Sequence, residues 1–237
     1  MHHEELQHLH FFRNIDTSFL SKLSSQTILK HYRKGSILFN HGDNTEYFYI
    51  INSGWAKLFR NTSDGQEPLI GLAKSGDIVG ELNFSQITHL FSAEIIHDAE
   101  ILLLPYNLLI DGIRKNGAFA LTILKALNSN VNLLELQLEH ASTMNSSQRI
   151  ACFILRLCNE ERKNVRVKLP CEKILIASYL GMKRETFSRG LHELESIGIF
   201  VEGDLLIIED IRAVIKFCCI SCSLSYDSCV KRDKICD

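Results

Sequence analysis

The spacing of hydrophobic positions changes character three times along this chain. Residues 1–30 are polar and helical in pattern, with Leu20, Leu23 and Ile28 as a loose apolar stripe. From Tyr32 onward the pattern is one of short runs rich in β-branched, aromatic and aliphatic residues, at 36–39, 47–51, 55–60, 68–72 and 101–104. Turn residues divide them: Asn40-His41-Gly42-Asp43, Asn52-Ser53-Gly54, Ser63-Asp64-Gly65 and Ser75-Gly76-Asp77. Turn signals at such short, even spacing predict an antiparallel roll or barrel rather than a parallel sheet. After Gly117 the period becomes helical. Ala120, Leu124, Leu127, Val131, Leu134, Leu138 and Ala141 alternate steps of four and three over three heptads. A β-roll on the same chain could cover such a seam, but one this long more often packs on a twin. Leu124, Leu127, Val131, Leu134 and Leu138 are therefore expected at a dimer interface.

The capping residues Ser142-Thr143-Met144-Asn145-Ser146-Ser147 interrupt the heptads, and an amphipathic helix resumes over 148–157. A strand is expected over 165–169. The stretch 172–194 reads as two short helices joined at Gly181, with Ile174, Leu175, Ala177 and Leu180 as the buried side of the first. In the second, Phe187, Leu191 and Leu194 fall on one face at i, i+4 and i+7. Arg184, Glu185, Ser188 and Arg189 fall on the other, with Lys183 and Thr186 beside them. Arginine can donate two bonds to guanine, glutamate accepts from cytosine, and serine tolerates several bases. This is the pattern of a helix-turn-helix, and Lys183, Arg184, Glu185, Thr186, Ser188 and Arg189 are its candidate DNA contacts. The plain alternative is a core helical hairpin with a solvated charged face. A hairpin follows, with Ile199-Phe200-Val201 and 205–208 flanking Gly203-Asp204.

The run Arg184-Glu185-Thr186-Phe187-Ser188-Arg189 resembles the recognition helix of the CRP/FNR family of bacterial transcription regulators. With His192 included, it is most similar to the FNR and Dnr branches, and the resemblance implies TTGAT-type half-sites. The series Lys34-Gly35, His41-Gly42-Asp43, Ser53-Gly54, Ser75-Gly76-Asp77 and Gly80-Glu81-Leu82 resembles the cyclic-nucleotide-binding β-roll. The likeness covers about residues 5–212. It implies an α+β protein: an N-terminal antiparallel β-roll of the cyclic-nucleotide-binding type, a long dimerisation helix and a C-terminal winged helix-turn-helix. The expected divisions are residues 1–116, 117–142 and 143–211, followed by a cysteine-rich tail at 212–237. The implied partners are a palindromic double-stranded operator, a second copy of the chain and RNA polymerase.

Composition adjusts this picture only slightly. A net charge of −2 and a pI near 6.6 give no global attraction to nucleic acid. Thr143 to Ile211 holds ten basic and ten acidic residues, so affinity must come from placement, with Lys183, Arg184 and Arg189 set against Glu185. The opening MHHEELQHLHFF lacks the form of a signal peptide, and no apolar run is long enough to span a membrane. A cytoplasmic location is expected, where the eight cysteines are not disulfide-forming. No Ser/His/Asp arrangement, HExxH or P-loop suggests an enzyme.

The signal is the open question. In the CRP branch, the resemblance places a cyclic nucleotide's phosphate against Gly-Glu-Leu and an Arg-Ser-Ala. Here the second triplet is Phe91-Ser92-Ala93, no Lys or Arg lies between Lys74 and Arg114, and Leu134-Glu135 stand where hydroxyls would meet adenine. Burying an unpaired phosphate is costly, so cyclic AMP is not expected. The same loss weakens the rival reading, a cyclic-nucleotide-binding module that gates a partner protein. Haem is one candidate, since His8-Leu9-His10-Phe11-Phe12 and Gly65-Gln66-Glu67 resemble Dnr-type sensors. The other is the tail, where Cys219, Cys222, Cys229 and Cys236 offer four thiolates for an iron–sulfur cluster or zinc. Cys152, Cys158 and Cys171 read as small core residues.

Overall fold

The computed structural model describes residues 6, 12, 17–62, 67–80, 88–158 and 163–218. The chain divides into two compact units, the first ending at Asn128 and the second beginning at Ser129.

The first unit contains α1 (Thr17–Gln26), β1 (Ile28–Tyr32), β2 (Ile37–Phe39), β3 (Tyr47–Phe59), β4 (Leu69–Lys74), β5 (Ile78–Val79), β6 (Ser92–Pro105), α2 (Tyr106–Lys115) and the start of α3 (Gly117–Thr143). All strand pairings are antiparallel, in the order β1-β6-β3-β4, with β2 on β6 and β5 on β3. The expected antiparallel architecture is present. Its spine is the long β3–β6 pair, which is buried on both faces. Phe48 and Ile50 enter a core with Leu20, Leu23, Leu108, Phe119 and Ile123. Tyr49 and Ile51, one residue out of phase, enter another with Phe39, Ile95 and Ile101.

Two local expectations are corrected. Ile28 does not continue the helical stripe: it opens β1 opposite Leu103 and is 48% exposed. The helix closes before it, where the Thr27 N–H and hydroxyl both donate to the Leu23 carbonyl at 2.9 and 2.8 Å. Asn52-Ser53-Gly54 is not a turn between strands but an irregular stretch inside β3. The register against β6 slips on both sides of Ser53, and Gly54 takes φ +90°. A Cβ at Gly54 would stand 2.5 Å from the Asp98 carbonyl oxygen, so only glycine lets the two strands stay in contact there.

The second unit contains the rest of α3, then α4 (Ser146–Leu157), β7 (Lys163–Lys168), α5 (Lys173–Tyr179), α6 (Arg184–Glu193), a 3₁₀ turn (Leu194–Ile197), β8 (Ile199–Glu202), β9 (Leu205–Asp210) and α7 (Ile211–Cys218). Its sheet is antiparallel in the order β7-β9-β8. The helices close over one core, which includes Ile150, Ile154, Phe187, Leu194, Leu206, Ile208 and Val214. Cys152 and Cys158 are buried in it, and Cys171 packs against it half-buried. Burial pushes the Cys158 thiol up to about 11; burial, helped by Glu172, pushes Cys171 up to about 12. The first residues of the expected tail belong to α7, which ends at a buried Cys218.

The break between α3 and α4 is built by a capping box. The Gln148 N–H donates to Asn145 Oδ1 at 2.9 Å, and the Asn145 N–H donates to Gln148 Oε1 at 3.1 Å. Such a cap contributes about 0.5–2 kcal/mol. Just before the break, His140 is buried in the last turn of α3. Burial lowers its pKa from the usual 6.5, Arg156 and Arg149 lower it further, and Glu139 opposes them. The folded chain thus favours neutral imidazole. Above pH 6.5 its stability is fully present; as pH falls below that value the unfolded chain takes up a proton that the folded chain resists. We expect stability to decline from pH 7.5 toward pH 5.5, and His140→Gln to decline less, as measured by chemical denaturation. Equal declines in the two proteins would remove His140 as the cause.

Candidate nucleic-acid interface

The α5–α6 pair is joined by a turn that the backbone defines closely. Gly181 takes φ +63°, its N–H donates to the Ser178 carbonyl at 2.9 Å, and the Met182 N–H donates to the Ala177 carbonyl at 3.0 Å. These are the two bonds of a Schellman ending, with glycine at the left-handed position. In α5 the buried residues are Ile176 and Ala177, whereas Leu175 is only half-buried and Ile174 is 53% exposed. The inward face is therefore shifted by about half a turn from the expected one.

Helix α6 begins with no side-chain cap at Lys183. Its first N–H groups have no side-chain acceptor, and a helix start of this kind attracts phosphate oxygens. Lys183, Arg184, Glu185, Ser188 and Arg189 are exposed and Thr186 is half-buried, while Phe187 and Leu191 are buried. Burying a side chain such as Phe187 contributes about 1.5–3 kcal/mol, which fixes the rotation of the helix and so the outward direction of the polar set.

A contact with α4 that the sequence does not announce fixes its position more tightly. Gly190 faces α4 so closely that a Cβ there would lie 2.6 Å from Ile150 Cδ1 and 3.5 Å from Ser147 Oγ. The buried Ser147 donates its hydroxyl to Glu193 Oε2 in a short hydrogen bond. Glycine, serine and glutamate thus clamp the C-terminal half of α6, leaving its N-terminal half outward. Beyond it, the turn between β8 and β9 is tied back by Lys168 Nζ, 3.0 Å from Asp204 Oδ2.

Along α3, large apolar side chains point in several directions. Phe119 and Ile123 are buried in the first unit, Leu127 packs half-buried against the same core, and Leu136 is buried in the second. Leu121, Leu124, Val131, Leu134 and Leu138 are exposed, Leu138 at 72%. Leu121 joins this outward line although the heptad reading omitted it.

At the position that resembles the nucleotide site, Phe91 is half-buried beside Phe39, at 5.8 Å between ring centroids. Phe39 stacks on the buried His89 at 3.7 Å and tilts against Tyr49 at 5.2 Å. Burial, with smaller help from Tyr32, Glu46, Tyr47 and Asp43, pushes the Tyr49 hydroxyl up to about 12. The buried Ser92 hydroxyl accepts the His41 N–H at 3.0 Å. One cation does approach from outside the expected segment: Arg60 Nε donates to the Leu90 carbonyl at 2.8 Å. Glu81 and Leu82, the histidines at 8 and 10, Gly65 and Gln66, and Cys219, Cys222, Cys229 and Cys236 lie outside the described residues. Among the described residues, no group of three or more His, Cys, Asp or Glu is placed to hold a metal, and no helix is long and apolar enough to cross a membrane.

Comparison with known proteins agrees with both halves of this geometry. Residues 29–116 match the cyclic nucleotide-binding domain family, and residues 148–217 match the Crp-like helix-turn-helix domain family. The chain is 28% identical over 194 residues to the anaerobic regulatory protein of Haemophilus influenzae, covering 79% of this chain and 75% of that one. It is 27% identical over 190 residues to the fumarate and nitrate reduction regulatory protein of Yersinia pestis, covering 78% and 76%. The structure of FixK2 from Bradyrhizobium japonicum shares its fold, with a TM-score of 0.71 at 21% identity over 80% of this chain and 96% of that one. A roll of the first family followed by a helix-turn-helix of the second places this chain in the CRP/FNR family of DNA-binding transcription regulators.

Proposed function

We propose that the chain is a cytoplasmic homodimer that reads a palindromic operator with α6 of each copy and takes a redox or gas signal rather than a cyclic nucleotide. The observation that carries the DNA reading is the exposed set Lys183, Arg184, Glu185, Ser188 and Arg189 on a helix clamped through its opposite side. Arg184 and Arg189 are assigned to guanine, Glu185 to cytosine, Ser188 and Thr186 to neighbouring edges, and Lys183 to phosphate. RNA polymerase is the further partner proposed for a regulator bound at a promoter. Arg189→Ala should weaken specific binding by about 1–3 kcal/mol, and Glu185→Ala should relax base choice at one position. Both effects are read by titration against a duplex selected by the wild-type protein. Unchanged affinity and unchanged base preference in both variants would end the assignment of α6.

The dimer reading rests on the exposed line Leu121, Leu124, Val131, Leu134 and Leu138. Each such side chain left in water forgoes roughly 1.5–3 kcal/mol of burial, and a second copy of the same helix covers the line symmetrically. Leu127 would lie at the margin of that seam. Val131 is 51% exposed on the single chain, so Val131→Asp leaves the fold intact but sets two carboxylates against each other across the dimer axis. Sedimentation should then show monomers, and operator binding should be lost. A wild-type chain that sediments as a monomer at micromolar concentration excludes this arrangement.

For the signal, the aromatic packing of Phe39, His89 and Phe91 supports a roll that does not hold a cyclic nucleotide. The names of the Haemophilus and Yersinia proteins support an oxygen-linked role. The donor set fits a thiolate site beyond the second unit. Cys158 and Cys171 are held as neutral thiols, and Cys218 is buried with its Sγ 3.9 Å from the Ile215 carbonyl, which leaves Cys219, Cys222, Cys229 and Cys236 as ligands. A bound cluster would supply a charge and coordination change with oxidation state. In this reading, that change shifts the population of DNA-competent dimers. Anaerobically purified protein should contain iron or zinc, and Cys222→Ser should lower the content several-fold. Metal-free protein whose operator binding survives truncation after Phe217 would exclude the tail as sensor, and a haem absorption band would transfer the role to His8 and His10.

A further inference from the structure

His192 lies seven residues after Glu185, three after Arg189 and four after Ser188, so it extends the same outward strip of α6 by one turn. Its side chain is 80% exposed, and its Nδ1 lies 3.0 Å from Glu195 Oε1 on the following 3₁₀ turn. The charged groups around it are Glu195, Glu193 and Arg189, and Glu193 accepts the Ser147 hydroxyl. The ring therefore spends Nδ1 on Glu195 and keeps Nε2 as its second donor.

We propose that His192 is itself a DNA contact, held by Glu195 so that its protonated ring presents the Nε2–H to a backbone phosphate flanking each half-site. This rests on the reading of α6 as the recognition helix. The start of such a helix reaches the base edges. A residue seven positions later sits about 10 Å back along the axis, where the groove wall presents phosphate rather than bases. The pairing also explains why a carboxylate is tolerated here. An unneutralised Glu195 beside a phosphate would repel it, and the imidazolium cancels that charge while supplying the contact. Loss of the proton removes the cation and exposes the carboxylate together.

The hydrogen bond to Glu195, and secondarily its charge, raise the His192 pKa above 6.5. The contact is thus present at low pH and lost as pH rises through the raised value. Operator affinity carries a pH dependence set by one side chain on the reading helix.

The test uses the full-length wild-type protein and a duplex it selects from a random pool at pH 6.0, titrated by fluorescence anisotropy at pH 6.0 and 8.5. Wild-type affinity should fall by roughly tenfold between these values, the size of one charge-assisted contact. His192→Gln should bind at pH 6.0 as wild type does at pH 8.5 and be nearly flat with pH, whereas His192→Lys should bind tightly at both. Glu195→Gln should move the wild-type transition to lower pH. At pH 6.0 the salt slope of wild type should exceed that of His192→Gln by about 0.9 for each half-site. Wild-type affinity and pH profile in His192→Gln would overturn the proposal and leave a surface ion pair without a role in binding. Arg189→Ala separates the two levels: if it binds as tightly as wild type, or if no duplex is selected, the reading of α6 fails as well.

Discussion

The approach of α6 to α4 at Gly190 is the contact on which the exposed face of the reading helix depends. A single methyl group there would stand 2.6 Å from Ile150 Cδ1, closer than real side chains come, and α6 would have to lift or turn. The Ser147–Glu193 hydrogen bond holds the same end. The helix is therefore asymmetric by construction. Its C-terminal half is fastened to the core, and its uncapped N-terminal half is left with backbone donors and side chains facing outward. Rigidity and reading are assigned to different turns of one short element.

Helix α3 shows a second kind of division. Three sets of apolar residues share its 27 positions. One enters the first unit at Phe119 and Ile123, one enters the second at Leu136, and a third stays outside at Leu121, Leu124, Val131, Leu134 and Leu138. A heptad count sees their sum. It recovers the helix and most of the outer line, but it cannot tell that Leu127 leans into the roll or that Leu121 does not. Those assignments depend on which neighbours arrive from distant sequence.

The same distinction separates what was legible in the sequence from what was not. The helix-turn-helix and the hairpin after it were legible because their signals are local: a glycine at a left-handed position, an apolar period of 3.6, and Gly203-Asp204 between two apolar runs. Both faces of β3 are buried, so its apolar run gave no alternation, and Asn52-Ser53-Gly54 carries the residues of a turn while serving as a bulge opposite Asp98 and Ala99. Ile174 read as buried because helix period alone does not fix the phase of a seven-residue helix. The need for glycine at Gly190 is set by a residue forty positions earlier. Arg60 reaches Leu90 from another strand, outside the segment where a cation had been sought.

The buried cysteines have a consequence for chemical durability. A thiol with a pKa near 11 or 12 is ionised in fewer than about one molecule in a thousand at neutral pH, and it is the thiolate that peroxides and disulfides attack. Cys158 and Cys171 are therefore slow partners for any oxidant, although they sit in the unit that carries α6. An oxidative insult that reaches the chain would leave the packing beneath the reading helix untouched, so damage and signal need not share a route.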